Sequence, residues 1–210
     1  MNILLKAADW LQRKLKASYL RHNLPLLQVK DFTVVSNNCW GGILYQDLKL
    51  PYQTPFVNMF MFADCYLKLA TDFKTYMQKE LRISDQSRYF THPATYPVGH
   101  LGDVEIHFIH YTFQQPVAAV WARRTKRINY DKLFFVLSER DGCNAQHVHA
   151  FLKLPFPKLA FTRYRYNSHE AFRIFPFQAA TVLPADVLMG FSYRVVHPIR
   201  WINTTFAAGL

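Results

Sequence analysis

The sequence predicts a single α/β domain in three layers, a central and mainly parallel sheet flanked by helices. A basic amphipathic helix leads in over residues 1–24, the domain proper covers 25–210, and its carboxyl-terminal portion is irregular. Three observations carry this expectation. Short runs rich in β-branched and aromatic residues alternate with segments of helical periodicity, which is how a sheet covered on both faces reads. Half of the 210 residues are hydrophobic, enough to build one sizeable core. No internal repeat divides the chain.

Residues 3–20 place Leu4, Ala7, Ala8, Leu11, Leu15 and Tyr19 three and four apart, one stripe along a helix. Lys6, Arg13, Lys14, Lys16 and Arg21 occupy its other faces, and Asp9 is the only acid before residue 31. Such a helix either docks on a core or lies in an anionic membrane interface, where each basic residue adds about 1 kcal/mol. Residues 31–36 then read as a buried strand, stopped by the turn residues Asn37-Asn-Cys-Trp-Gly-Gly42. Thr54 and Pro55 supply a cap and a first helical residue for a helix to about Leu81, long enough to need a kink or break.

Residues 104–111 alternate as a strand, with Val104, Ile106 and Phe108 on one face and Asp103, Glu105 and His107 on the other. Two carboxylates and an imidazole resemble a metal or acid–base set only loosely; charges on the open side of an edge strand are the commoner explanation, and no metal site is assigned. Pro116 starts a helix through Trp121 to the basic cluster ending at Arg127. Residues 133–137 form a second buried strand, residues 145–152 a helix and residues 158–162 a further strand. From Ser168 the periodicity blurs, and one strand is expected near residues 191–196.

Lys and Arg exceed Asp and Glu by 25 to 14, a net charge of +11, while 18 Phe, 12 Tyr and 4 Trp fill the core with rings. Cys39, Cys65 and Cys143 fit neither a disulfide framework nor a zinc pair, so a reducing cytoplasm is expected. The short apolar run at the start lacks the pattern of a signal peptide, and no stretch reaches the roughly 18 apolar residues of a spanning helix. The basic residues are scattered and accompany no nucleic-acid motif, which argues against a nucleic-acid partner.

The dinucleotide fingerprint, the Walker loop, the nucleophile elbow, the zincin helix and the EF-hand loop find no match. The most unusual segment is Val35-Ser-Asn-Asn-Cys-Trp-Gly-Gly42, just past a buried strand. Asn37 and Asn38 suit hydroxyls or amides there, Gly41 and Gly42 let backbone N–H groups approach an anion, and a helix starting at Thr54 favours phosphate. Cys39 becomes a nucleophile only if a base such as His100, His107 or His110 lowers its pKa. The same residues also describe a tight turn around a buried thiol. His110 is the acid–base candidate, and Arg124 or Arg127 would meet phosphate through its planar fork.

The motifs Val35-Ser-Asn-Asn-Cys-Trp-Gly-Gly42, Tyr52-Gln-Thr-Pro55, Tyr96-Pro-Val-Gly99, His110-Tyr111 and Trp121 with Arg124 and Arg127-Ile-Asn129 together resemble bacterial domain-of-unknown-function family nineteen-nineteen, over roughly residues 30 to 165. Members of that family often bear the labels exopolysaccharide or capsule biosynthesis protein, sometimes acetyltransferase. The resemblance therefore implies a role in cell-surface glycan assembly and supplies no catalytic residue. The resulting expectation is an acyl or glycosyl transferase that binds a sugar or acyl donor and a glycan acceptor, one of them phosphate-bearing or lipid-linked, with the cofactor open. It would be cytoplasmic, or peripheral at the inner membrane face through residues 3–21. A cysteine-dependent hydrolase or acyltransferase and a non-catalytic glycan or nucleotide-sugar binding protein are the alternatives.

Overall fold

The computed structural model describes residues 3–174, 190, 192–193 and 195–206; in the leading helix the described side chains are Trp10 and those from residue 13 on. That helix, α1, runs Ile3–Asn23. It docks through Lys16, whose ammonium lies 2.9 Å from Asp47, and through Tyr19, whose hydroxyl accepts from the Ile199 N–H at 3.2 Å. Of the predicted stripe, Leu15 is exposed, and the side chains of Leu4, Ala7, Ala8 and Leu11 lie outside the described residues.

The chain continues through β1 (Thr33–Ser36), α2 (Trp40–Asp47), α3 (Ala63–Thr71) and α4 (Phe73–Met77) to β2 (Arg82–Ser84), β3 (Val98–Leu101) and β4 (Val104–His107). After these come α5 (Val117–Thr125), β5 (Leu133–Ser138), α6 (Ala145–Leu152), β6 (Lys158–Thr162), β7 (Ala171–Arg173) and a last helix, Pro198–Phe206. Strands β1, β5, β6 and β7 form a parallel sheet in that order, and β2, β3 and β4 a small antiparallel one.

Side chains alternate across a strand, so the continuous hydrophobic runs split between two cores. Val35, Phe135, Leu137 and Ala160 pack with α3, α6 and the antiparallel sheet. Val34, Phe134, Val136, Leu159 and Phe161 pack on the other face with Trp40, Leu44 and Tyr45 of α2 and Ile199 and Ile202 of the last helix. The molecule is a three-layer α/β domain, as expected.

Four local expectations are corrected. Gly41 and Gly42 do not sit in a turn but in the first turn of α2, where a Cβ on Gly41 would meet Ser36 Oγ and Val34 at 2.9 Å, so glycine there permits close helix–strand contact. Thr54 caps no helix: its hydroxyl donates to the Val34 carbonyl at 2.6 Å, and the helix begins at Ala63. Glu105 and His107 are buried rather than on an open face. Ser87 and Arg88 explain Glu105, whose carboxylate accepts from Ser87 Oγ at 2.7 Å and from the Arg88 N–H and Nε at 3.0 Å each. Finally, the strand expected near residues 191–196 is helical where described, with the Val196 N–H donating to Ser192 O at 2.8 Å; residues 191 and 194 lie outside the described set.

Candidate functional site

In an open parallel sheet, ligands gather beyond the carboxyl ends of the strands, where loops leave polar groups that the ladder does not consume. Here β1 and β5 end side by side. Asn37 ties them together: its Nδ2 donates to the Ser138 carbonyl at 3.0 Å, and its Oδ1 accepts the Ser138 N–H at 2.8 Å. Asn37 is fully buried, and both ends of its amide are used within the fold.

Asn38, one residue on, differs. Its Oδ1 accepts the Trp40 N–H at 3.0 Å, which fixes the amide's orientation, and its Nδ2 is buried without a hydrogen-bond partner. The next amide of α2 is occupied too, since the Gly41 N–H donates to Ser36 Oγ at 3.1 Å. The first two N–H groups of that helix are therefore committed internally, and Asn38 Nδ2 is a donor that the fold leaves over.

Asn38 lines an open cleft of about 610 Å³. Cys39, Ile43 and Gln46 complete its α2 wall; Asn58, Met59 and Phe60 come from the segment before α3, Ile109 and His110 from beyond β4, and Arg140 and Asp141 from beyond β5. Arg140 Nε lies 3.0 Å from Asp141 Oδ2, with both side chains mostly buried. Burial pushes the Asp141 carboxyl up from its ordinary value, and the Arg140 charge offsets this in part. Asn58 and Asp141 hold φ of 60° and 52°, left-handed conformations that cost energy for residues other than glycine.

The Cys39 thiol is half-buried, with Sγ 3.6 Å from the Met59 carbonyl oxygen. Burial raises its pKa, and the Arg140 charge lowers it by less, so the resting group is the thiol. Under the cleft, the Phe60 ring stacks on His107 at 4.6 Å, within a cage that Phe62, Tyr89, Phe90 and Tyr96 complete. Burial lowers the His107 pKa to about 4, and its Nε2, 3.6 Å from Glu105, has no hydrogen-bond partner.

Three residues singled out in the sequence thus share one cleft: Asn38, Cys39 and His110. Asn37 is a clamp behind it, while Gly41, Gly42 and Thr54 are buried packing positions. Arg124 and Arg127 do not line it: Arg124 donates to Tyr111 Oη at 3.0 Å and stacks over Tyr52, and Arg127 donates to the Tyr52 carbonyl at 3.3 Å. Arg140, Asp141, Asn58 and Phe60 were missed. The signal for the first two was present, because Ser138-Glu-Arg-Asp-Gly142 leaves a buried strand just as the asparagine segment does.

The arrangement offers an amide donor, an imidazole, a thiol and the Arg140–Asp141 ion pair around a solvent-open space. That set suits an oxygen-rich anionic ligand and proton transfer at its edge.

A model of the domain of unknown function DUF1919 matches residues 11–192, and the chain belongs to that family. A Haemophilus influenzae protein, named only "Uncharacterized protein", is 35% identical over 140 residues, which are 66% of this chain. The match spans 65% of that relative, just under two thirds of its length.

Proposed function

We propose that the cleft at the carboxyl ends of β1 and β5 binds an anionic, phosphate-bearing donor or lipid-linked acceptor, and that the protein is an acyl or glycosyl transferase of bacterial cell-surface polysaccharide biosynthesis. One observation carries the binding half: the Asn38 Nδ2 donor, oriented by the Trp40 N–H and left without a partner in the cleft wall. A buried donor without an acceptor costs roughly 1–3 kcal/mol, a cost that an incoming phosphate, carboxyl or hydroxyl oxygen would relieve. Arg140, paired with Asp141 at 3.0 Å, brings its guanidinium beside it in the role first expected of Arg124 or Arg127, and His110 is the acid–base group. The glycan context rests on the family resemblance.

Cys39 supports a second reading because it lines the same cleft as Asn38 and His110. An acyl-CoA donor would then be attacked at its carbonyl by sulfur after His110 takes the thiol proton; an acyl thioester forms on Cys39, the donor's C–S bond breaks, and the departing thiolate of coenzyme A takes the proton back from His110. Rapid iodoacetamide labelling at Cys39, with Cys65 and Cys143 slow, favours it.

A thermal-shift screen with nucleotide sugars, acyl-CoAs and polyprenyl phosphates tests the proposal. At least one class should raise the melting temperature of the natural chain and not of Asn38→Ala. Product formed by the natural chain and lost in His110→Ala marks an enzyme; shifts without product mark a binding protein. No shift from any class contradicts the reading.

A further inference from the structure

Helix α1 has two unlike faces. The inward one is Lys16, Tyr19, Leu20 and Asn23, all partly buried, with Lys16 on Asp47 of α2 and Tyr19 and Leu20 packed on the core that the last helix covers. The outward one is Trp10, Lys14, Ala17 and Arg21, spaced by four, three and four and all exposed. Trp10 is 60% exposed, and the Lys14 ammonium lies 5.7 Å from its ring.

The ridge is one-sidedly basic, since residues 10–30 contain no acid. Among the described residues Asp47 of α2 meets the helix, and both Lys16 at 2.9 Å and the Tyr193 hydroxyl at 3.0 Å engage it. At the foot of the ridge lies a groove of about 510 Å³ that places Arg21 and Lys49 around the apolar Leu20, Leu24 and Pro25, and Asp47, already engaged by Lys16 and Tyr193, lines it too. No helix among the described residues is long and apolar enough to cross a membrane.

We infer that this face docks on an anionic phospholipid surface. Trp10 sits at the level of the headgroups, as amphipathic rings do, and Lys14 and Arg21 face lipid phosphates. The groove between Arg21 and Lys49 receives a headgroup phosphate. The ridge spans roughly 16 Å from Trp10 to Arg21, so several headgroups lie under it at once. Positive charge draws the chain to the surface and tryptophan insertion holds it there. The cleft plays no part in this inference, which stands or falls apart from the proposed function.

The test is sedimentation of the full chain with vesicles of phosphatidylglycerol and phosphatidylcholine against vesicles of phosphatidylcholine alone. Binding should require phosphatidylglycerol and weaken in 0.5 M salt, where screening shortens to roughly 4 Å. Each basic residue removed should lower partitioning about fivefold, so Lys14→Ala with Arg21→Ala should lower it about 25-fold with an unchanged circular dichroism spectrum. Trp10 is the most exposed tryptophan, because Trp40 and Trp121 are buried and Trp201 is partly so. Vesicles should therefore shift the emission of the natural chain to the blue and leave that of Trp10→Phe unmoved. Equal sedimentation with both vesicle types, full binding by the double variant, or an unshifted Trp10 overturns the inference. So does binding of a labelled oligonucleotide through Lys14 and Arg21 without binding of vesicles, which assigns the ridge to nucleic acid.

Discussion

At the amino end of the parallel sheet, every buried polar side chain among the described residues is partnered; at the carboxyl end, two are not. Lys158, at the start of β6, gives its ammonium to the Leu154 carbonyl at 2.8 Å, the Phe156 carbonyl at 3.3 Å and Glu170 at 2.9 Å. Thr33, at the start of β1, donates to the Gln53 carbonyl at 2.8 Å and accepts the Asn129 N–H at 2.8 Å. Across the sheet, Asn38 Nδ2 and Ser138 Oγ are buried without partners, and Asn58 and Asp141 hold left-handed backbones near them. A polar group whose bonds all close within the fold serves stability. One left open beside a cleft is a cost that ligand binding can recover.

This contrast orders the expected effects of substitution. The largest belongs to the amino end: Lys158→Ala should cost about 3–4 kcal/mol in urea unfolding, because it strands two carbonyls and Glu170. A pH titration sharpens the comparison through the third unpartnered atom, His107 Nε2, which is buried but lines no cleft. Its folded pKa of about 4 lies below the ordinary value near 6.5. Above pH 6.5 both states are neutral and nothing changes. As the pH falls from there towards 4, the unfolded chain binds a proton that the folded one refuses, and stability drops by up to roughly 3 kcal/mol. His107→Phe should flatten that part of the stability curve.

Asn37→Ala should cost about 2 kcal/mol, since it unpairs the Ser138 N–H and removes one of the two donors to the Ser138 carbonyl, which keeps the Arg140 N–H at 2.8 Å. Asn38→Ala comes last on stability: within about 1 kcal/mol of the natural chain, because it loses one bond to Trp40 and removes an unsatisfied donor. Two adjacent asparagines should then separate by stability and ligand response. Equal destabilisation by both would break the contrast between structural and open polar groups.

Much of the sheet was legible in the sequence because β1, β5 and β6 are local hydrophobic runs, and α6 has a local start signal in Asn144, whose side chain accepts the His147 N–H at 3.2 Å. What stayed hidden was set by distant contacts. The Gly41–Gly42 pair has turn composition, but Val34, Ser36 and Val57 packed against it make it helical. Thr54-Pro55 has the local grammar of a helix start, yet Val34 captures the threonine hydroxyl first. Strands β2 and β7 are three residues each, too short for any period to show.

The site was half legible for the same reason. Asn38, Cys39 and His110 drew attention by type and position, and the fold does bring them to one cleft. Arg124 and Arg127 drew it by charge, but their partners are Tyr111 and Tyr52, which no local pattern reveals. Arg140 was passed over inside a turn motif whose neighbour in space, the end of β1, lies about a hundred residues away.

Calorimetric titration of the strongest ligand from the three donor classes into the natural chain, Asn38→Ala and Arg127→Ala tests the role of Asn38 most directly. Asn38→Ala should keep its melting temperature within about 3 °C yet bind at least tenfold more weakly, about 1.4 kcal/mol, while Arg127→Ala binds as the natural chain does. Undiminished binding by Asn38→Ala, or its loss in Arg127→Ala, would contradict the placement of the ligand at the carboxyl ends of β1 and β5.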